Sequence, residues 1–121
     1  MGERVVRAVR GAIAVRADEA DTVHDATRRL LTTILERNDV ETDDVVSIFF
    51  TATPDLRSAF PAEAARRMGL GAVPLLCAQE LDVEGAMPQV VRVLLHFHTS
   101  RAQWDVTPVY LDGAETLRDD L

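Results

Sequence analysis

The sequence predicts an α+β domain, a mixed five-stranded sheet with one long helix on one face. Three observations carry this. Five stretches rich in β-branched and apolar residues recur along the chain, separated by breakers such as Pro54, Gly85 and Pro88. One long amphipathic stripe lies between the first two of them. At 121 residues, 47% hydrophobic and 27% charged, the chain has the size and make-up of a single globular domain with a real core, spanning 1–121.

Val5 to Val15 (VVRAVRGAIAV) alternates imperfectly and reads as the first strand, with Gly11 as a bulge or close-approach point. Arg7 and Arg10 have opposite parity along it; Arg7 can simply be solvated, whereas Arg10 is a cation among small apolar residues. Asp18 or Asp21 suits the N-cap of the helix that follows. Its buried stripe is Val23, Ala26, Thr27, Leu30, Leu31, Ile34 and Leu35, and Asn38 is its terminator. His24 reads as a surface residue. Val45 to Thr53 is a second strand, ended by Pro54-Asp55-Leu56. Phe60 to Gly69 is a short helix with Pro61 in its first turn, Ser58 as a candidate cap and Gly69 as its stop. Arg66 on it is either a solvated charge or a rim donor over a pocket.

Val73 to Ala78 is the third strand, and Gln79-Glu80 places a carboxylate where the apolar run stops. Val90 to His98 is a buried strand whose alternation sends Val91, Val93, Leu95 and Phe97 to one face. Arg92, Leu94, His96 and His98 go to the other. Val106 to Leu111 is the last strand, and Pro108 makes it an edge. Trp104 before it reads as packing or interface. From about residue 113 the tail is expected to be mobile.

Composition narrows the function. A net charge of −7 argues against nonspecific nucleic-acid binding. No apolar run approaches the length that crosses a bilayer, and MGERVVRAVRG lacks a signal peptide's apolar block, so no membrane partner and a cytoplasmic location are expected. All thirteen basic residues are arginine, so every cationic site is a planar fork suited to carboxylates or phosphates. There is no Gly-rich phosphate loop, no nucleophile elbow and no metal motif; His96 and His98 share a strand face without an evident third ligand. Cys77 is the lone cysteine, which excludes an internal disulfide, and no histidine is evident to activate it.

The anomaly is Arg92, a charge inside an apolar strand. An unpaired buried charge is strongly disfavoured, so the residue needs a partner. That partner is a structural ion pair, with Glu80 the candidate, or solvent at an edge strand, or an anionic ligand in a cleft with Arg92 as donor and Glu80 as acceptor. Arginines, one glutamate, one tyrosine and one thiol can bind a dianion and stabilise charge without proton transfer or covalent chemistry.

These residues resemble the monofunctional, trimeric AroH-type chorismate mutases. The resemblance runs from Val9-Arg10-Gly11-Ala12 through Ala52-Thr53-Pro54-Asp55-Leu56, Ala59-Phe60-Pro61-Ala62 and Val73-Pro74. It continues in Cys77, Gln79-Glu80, Val91-Arg92-Val93, Val109-Tyr110-Leu111 and Leu117-Arg118, and so spans essentially the whole chain. Order and spacing carry it rather than any one tetrapeptide. It implies a homotrimer in which three sheets form a pseudo-α/β-barrel, with active sites at subunit interfaces. It also implies a cofactor-independent Claisen rearrangement of chorismate to prephenate, on the way to phenylalanine and tyrosine. By the same resemblance Arg92 donates to the ether oxygen, Arg10 and Tyr110 bind a carboxylate, and Glu80 accepts from the ring hydroxyl with Cys77 alongside. That pairing requires the chain to turn after Ala78. Arg118 and Leu117 close the site, while Phe60, Ala62, Glu63, Arg66, Leu75 and Leu76 match positions supplied by a neighbouring subunit.

The chain departs from the family pattern at Glu63, where some relatives carry lysine, and at Thr107-Pro108, where Arg-His is expected. Arg118-Asp119-Asp120-Leu121 stands in place of Arg-Pro-Asp-Leu. These differences bear on affinity and tail closure more than on reaction type. Two alternatives remain: a RidA-like trimeric enamine or imine deaminase, and a non-catalytic trimeric binder of an aromatic-pathway metabolite.

Overall fold

Strand alternation decides which side chains meet the helix, and the sheet is built around that sorting. The structure is a computed structural model and describes residues 3–120, with side chains through residue 117. β1 (Val5–Ala14), β2 (Val45–Ala52), β3 (Leu75–Gln79), β4 (Val90–Thr99) and β5 (Val109–Leu111) form one mixed sheet in the order β3-β2-β4-β1-β5. β4 is central and antiparallel to both β1 and β2. The two edge strands run parallel to their neighbours, β3 to β2 and β5 to β1. A parallel pair needs a crossover connection, which the segment containing α2 (Pro61–Ala65) supplies between β2 and β3.

Val91, Val93, Leu95 and Phe97 are buried, whereas Arg92, Leu94 and His96 are half-buried and His98 is exposed, as alternation requires. The buried set shares one core with Val23, Ala26, Leu30, Leu31 and Ile34 of α1 (Ala20–Arg37). Each fully buried Leu or Ile contributes roughly 1.5–3 kcal/mol relative to exposure. At Gly11 β1 lies close against α1: a Cβ there would stand 2.7 Å from Ile34 Cδ1 and 3.2 Å from Leu30 Cδ1. Pairing passes through Gly11 without a break, and the irregularity in the sheet falls instead between Val45 and Ser47.

The helix caps differ from the expectation. The residue preceding α1 is Glu19, with no side-chain cap bond, because Asp18 is engaged elsewhere. Its Oδ1 accepts the backbone N–H groups of Arg57 (2.9 Å) and Ser58 (3.0 Å). Hydrogen bonding from Ser58 and from Arg57 holds this carboxyl below its ordinary value. Ser58 therefore belongs to a tie between loops, and α2 starts after Phe60 with Pro61 in its first turn. Beyond α2 the helix continues as a π-type stretch, Arg66–Leu70, interrupted by Gly69 at φ 89°.

α1 ends at Asn38 as expected, but by side-chain bonding rather than by a left-handed cap. Its Nδ2 donates to the carbonyls of Ile34 (2.9 Å) and Thr107 (3.0 Å), and its Oδ1 accepts the Thr107 N–H at 2.7 Å. The left-handed residue is Asp39, at φ 52°. These bonds tie the end of α1 to the chain entering β5, which is shorter than the sequence implies and is an edge strand. Two further readings change. Arg7 is not simply solvated; its Nε donates to the Arg101 carbonyl at 3.0 Å. His24 is half-buried, with neither ring nitrogen bonded among the described residues. Trp104, read as packing or interface, is 87% exposed, which leaves the interface reading.

In the tail that begins at about residue 113, Ala114–Asp120 is a 3-10 helix whose Ala114 and Leu117 are buried against Ala12 and Val90. No helix among the described residues is long and apolar enough to cross a membrane.

Candidate active site

Away from α1, the sheet presents a second face whose side chains fall into rows set by register. One row runs across all five strands: Tyr110 pairs with Ala12, Ala12 with Arg92, Arg92 with Thr51, and Thr51 with Ala78. The next row holds Arg10, Leu94, Phe49 and Leu76. Neighbouring strands are about 4.8 Å apart, so Tyr110 and Arg92 stand roughly two strand spacings from each other with only the Ala12 methyl between. That missing bulk opens a cleft of 280 Å³ lined by Arg10, Ala12, Phe49, Thr51, Arg92 and Tyr110, among others. Its volume is near the ~300 Å³ at which small-molecule sites begin.

Glu80 reaches this face from the end of β3. The turn expected after Ala78 is absent: pairing with β2 continues through Gln79, and the Glu80 N–H donates to the Ala52 carbonyl at 2.9 Å. Glu80 thus shares parity with Ala78, on the Arg92 side. Arg92 Nε donates to Glu80 Oε1 at 2.5 Å, and Thr51 Oγ1 donates to Oε2 at 3.4 Å. The ion pair is partly shielded, with the arginine side chain 30% exposed and the glutamate 19%. The pairing uses only Nε. The two terminal nitrogens of Arg92 have no hydrogen-bond partner among the described residues, so the structural and the ligand-binding readings of this arginine coexist. Arg10 is exposed and unpaired among the described residues, and the half-buried Tyr110 hydroxyl is also without a protein partner there. Two guanidiniums against one carboxylate leave the cleft positive in an acidic protein.

Cys77 does not join this group within the chain. It pairs with the buried Phe50 and so points to the opposite face, where it lines a second cleft of 400 Å³ with Arg57, Phe60 and Gln79. Phe60 is 73% exposed at its rim. Arg66 is held by Glu63 at 3.0 Å, and the same carboxylate lies 3.7 Å from Arg67 Nε. Leu76 is exposed beside Phe49, Leu75 is half-buried against the core, and Ala62 is buried within it. Leu117 packs in the cluster that includes Ala12 and the half-buried Tyr110, two residues that line the first cleft. The Arg118 side chain lies outside the described residues.

Thr51 and Phe49 line the first cleft without having been singled out from sequence. Their common parity in β2 was a legible signal, but their pairing with Arg92 and Leu94 depends on a long-range register. His96 Nδ1 lies 3.3 Å from Ser47 Oγ and its ring meets Phe49 edge-on, and no metal-competent cluster of three ligands occurs among the described residues.

Comparison with known proteins bears directly on this arrangement. The family described as chorismate mutase type I matches residues 6–121. A chorismate mutase AroH of Thermus thermophilus is 48% identical over 118 residues, covering 97% of each chain. A chorismate mutase AroH of Bacillus subtilis is 38% identical over 118 residues, covering 97% of this chain and 93% of its own. Among solved structures, a chorismate mutase from Clostridium thermocellum superposes with a TM-score of 0.89 at 44% identity, over 91% of this chain and 98% of that one. Over nearly its full length, then, this chain belongs to the chorismate mutase type I family.

Proposed function

We propose that the protein is a chorismate mutase, an isomerase that rearranges chorismate to prephenate in cofactor-independent fashion. The observation that carries this reading is Arg92: one of its nitrogens is anchored by Glu80, the other two have no partner among the described residues, and it faces a positive cleft in a chain of this family. The reaction is unimolecular. The ether C–O bond breaks as a new C–C bond forms, so atoms and electrons balance within the substrate, and no base, nucleophile or metal takes part. An enzyme must hold the dicarboxylate in its reactive chair and stabilise negative charge growing on the ether oxygen.

In this reading the terminal N–H groups of Arg92 donate to the ether oxygen, Arg10 and Tyr110 hold a carboxylate, and Glu80 accepts from the ring hydroxyl. An arginine whose Nε is already bonded loses little freedom on meeting the transition state, which is the benefit of preorganisation. The cleft is completed by a neighbouring subunit. Val6 (49%), Phe49 (41%) and Leu76 (57%) leave an apolar sheet face open, which burial against further copies would cover. A homotrimer with a pseudo-barrel of three such faces would bring a second subunit's Phe60, Cys77, Leu75, Leu76 and Arg66 to the first subunit's Arg92. Ala62, buried, would contribute only its backbone. The separation of Cys77 from Glu80 within one chain is then expected rather than awkward. Leu117 and Arg118 would close the remaining side. A cytoplasmic location fits this assignment.

The test is direct. Purified protein is mixed with chorismate, its ultraviolet absorbance is followed, product is identified by NMR, and mass in solution is read by sedimentation. Prephenate formation by a trimer supports the proposal. Binding without turnover would make the protein a metabolite binder, and turnover by a monomer would dismiss the interface site.

A further inference from the structure

We infer that Thr51 is a positioning residue for the rearrangement, acting through Glu80 to hold Arg92; this rests on the chorismate mutase reading. A carboxylate bonded through one oxygen still rotates about its last bond. Glu80 is bonded through both: Oε1 to Arg92 Nε at 2.5 Å and Oε2 to Thr51 Oγ1 at 3.4 Å. Its backbone is fixed as well, by the bond from its N–H to the Ala52 carbonyl. Thr51 and Arg92 are direct cross-strand partners, so the carboxylate spans two side chains on adjacent strands and faces the cleft both of them line. Threonine suits this place because its β-branch restricts χ1 and its hydroxyl supplies the one donor that Oε2 receives from the described residues.

The inference gives the hydroxyl a specific task. With both carboxylate oxygens engaged, the plane of Glu80 is set, and with it the direction of the guanidinium whose terminal nitrogens meet the substrate. Losing the Thr51 donor frees Glu80 to turn, and Arg92 then samples orientations unproductive for the ether oxygen. The effect falls on kcat, because the interaction at stake is one made in the transition state. Thr51→Val preserves shape and removes only the donor. Its expected loss is about tenfold in kcat, the lower end for a hydrogen bond to a charged group because 3.4 Å is long. KM changes less than kcat. Thr51→Ser restores the donor and most of the rate.

A double-mutant cycle separates positioning from general damage. If Thr51 acts through Glu80, Thr51→Val costs less than about twofold in a Glu80→Gln background. A full tenfold loss there, or a Thr51→Ser variant no better than Thr51→Val, overturns the inference. A second readout is independent of turnover. In protein labelled with ¹⁵N-arginine, the Arg92 Nε–H signal, assigned by its loss in Arg92→Ala, should be shifted and exchange-protected by Glu80. It should lose protection in Thr51→Val and keep it in Thr51→Ser. An unchanged signal in Thr51→Val refutes the positioning role. If the parent protein does not convert chorismate, the mutase reading fails, and this signal alone still decides whether Thr51 holds the Glu80–Arg92 pair.

Discussion

Replacing Arg92 by alanine tests the core of the mechanism, and the structure sets its scale. A fixed donor at a developing oxyanion is worth about 3–4 kcal/mol, or two to three orders of magnitude in rate. That is a lower bound here, for two reasons. Arg92→Ala also removes the one cation bonded to Glu80 among the described residues, leaving a partly shielded carboxylate beside an anionic substrate. It further leaves Arg10 as the one guanidinium among the residues named in the cleft. The matched control is Arg7→Ala. Arg7 lies on the same sheet but is directed to the loop at Arg101, where its Nε bond to a carbonyl contributes about 0.5–1.5 kcal/mol to stability. Steady-state kinetics on both variants, at protein concentrations where sedimentation shows the same assembly as the parent, gives the comparison. Arg92→Ala should lose at least about a hundredfold in kcat/KM, and Arg7→Ala less than about threefold. Equal losses, or a loss below tenfold for Arg92→Ala in a folded protein, would mean the transition-state charge is met elsewhere.

Three other substitutions probe the frame that holds the site. Gly11→Ala should destabilise by about 1–3 kcal/mol in urea unfolding, since the added methyl meets Ile34 Cδ1 at 2.7 Å and the Val109 carbonyl at 3.1 Å. An unchanged midpoint would show that the contact between β1 and α1 yields freely. Asn38→Ala leaves the Thr107 N–H and carbonyl without partners and should cost about 2–3 kcal/mol, read by thermal unfolding at fixed protein concentration. The Arg29 hydrogen bond and charge hold Asp112 below its ordinary pKa, so its stabilisation is complete above the usual carboxylate range and fades as pH falls through the lowered folded value. Asp112→Asn should flatten the acid limb of a stability–pH curve below about pH 4 while tolerating the left-handed backbone. A steeper limb would assign the acid sensitivity to other carboxylates.

Much of the fold was legible because it is written in short periods. The two-residue alternation of β4 sorted Val91, Val93, Leu95 and Phe97 from Arg92, and the stripe from Val23 to Ile34 marked the buried side of α1. Local capping was less legible. Asp18 and Ser58 each have the chemistry of a cap, yet they bond to each other's loop, a choice made by two segments about forty residues apart. The same limit applied at the site. Arg92 was visible as a charge that needed a partner, and Glu80 as a carboxylate at the end of an apolar run.

By itself, then, the sequence determined the five strands and the long helix, the two faces of β4, and which charged groups are out of place among apolar neighbours. It also carried enough ordered similarity to mark the family. Tertiary structure alone decided the partners: that β3 runs on through Gln79 instead of turning, that Cys77 and Glu80 therefore face opposite ways, and that Thr51 stands across from Arg92. The physical reason is one of range. Periodicity is a property of adjacent residues and survives in the sequence, whereas register between strands follows from the packing of the whole core, and a one-residue slip would carry every side chain to the wrong face.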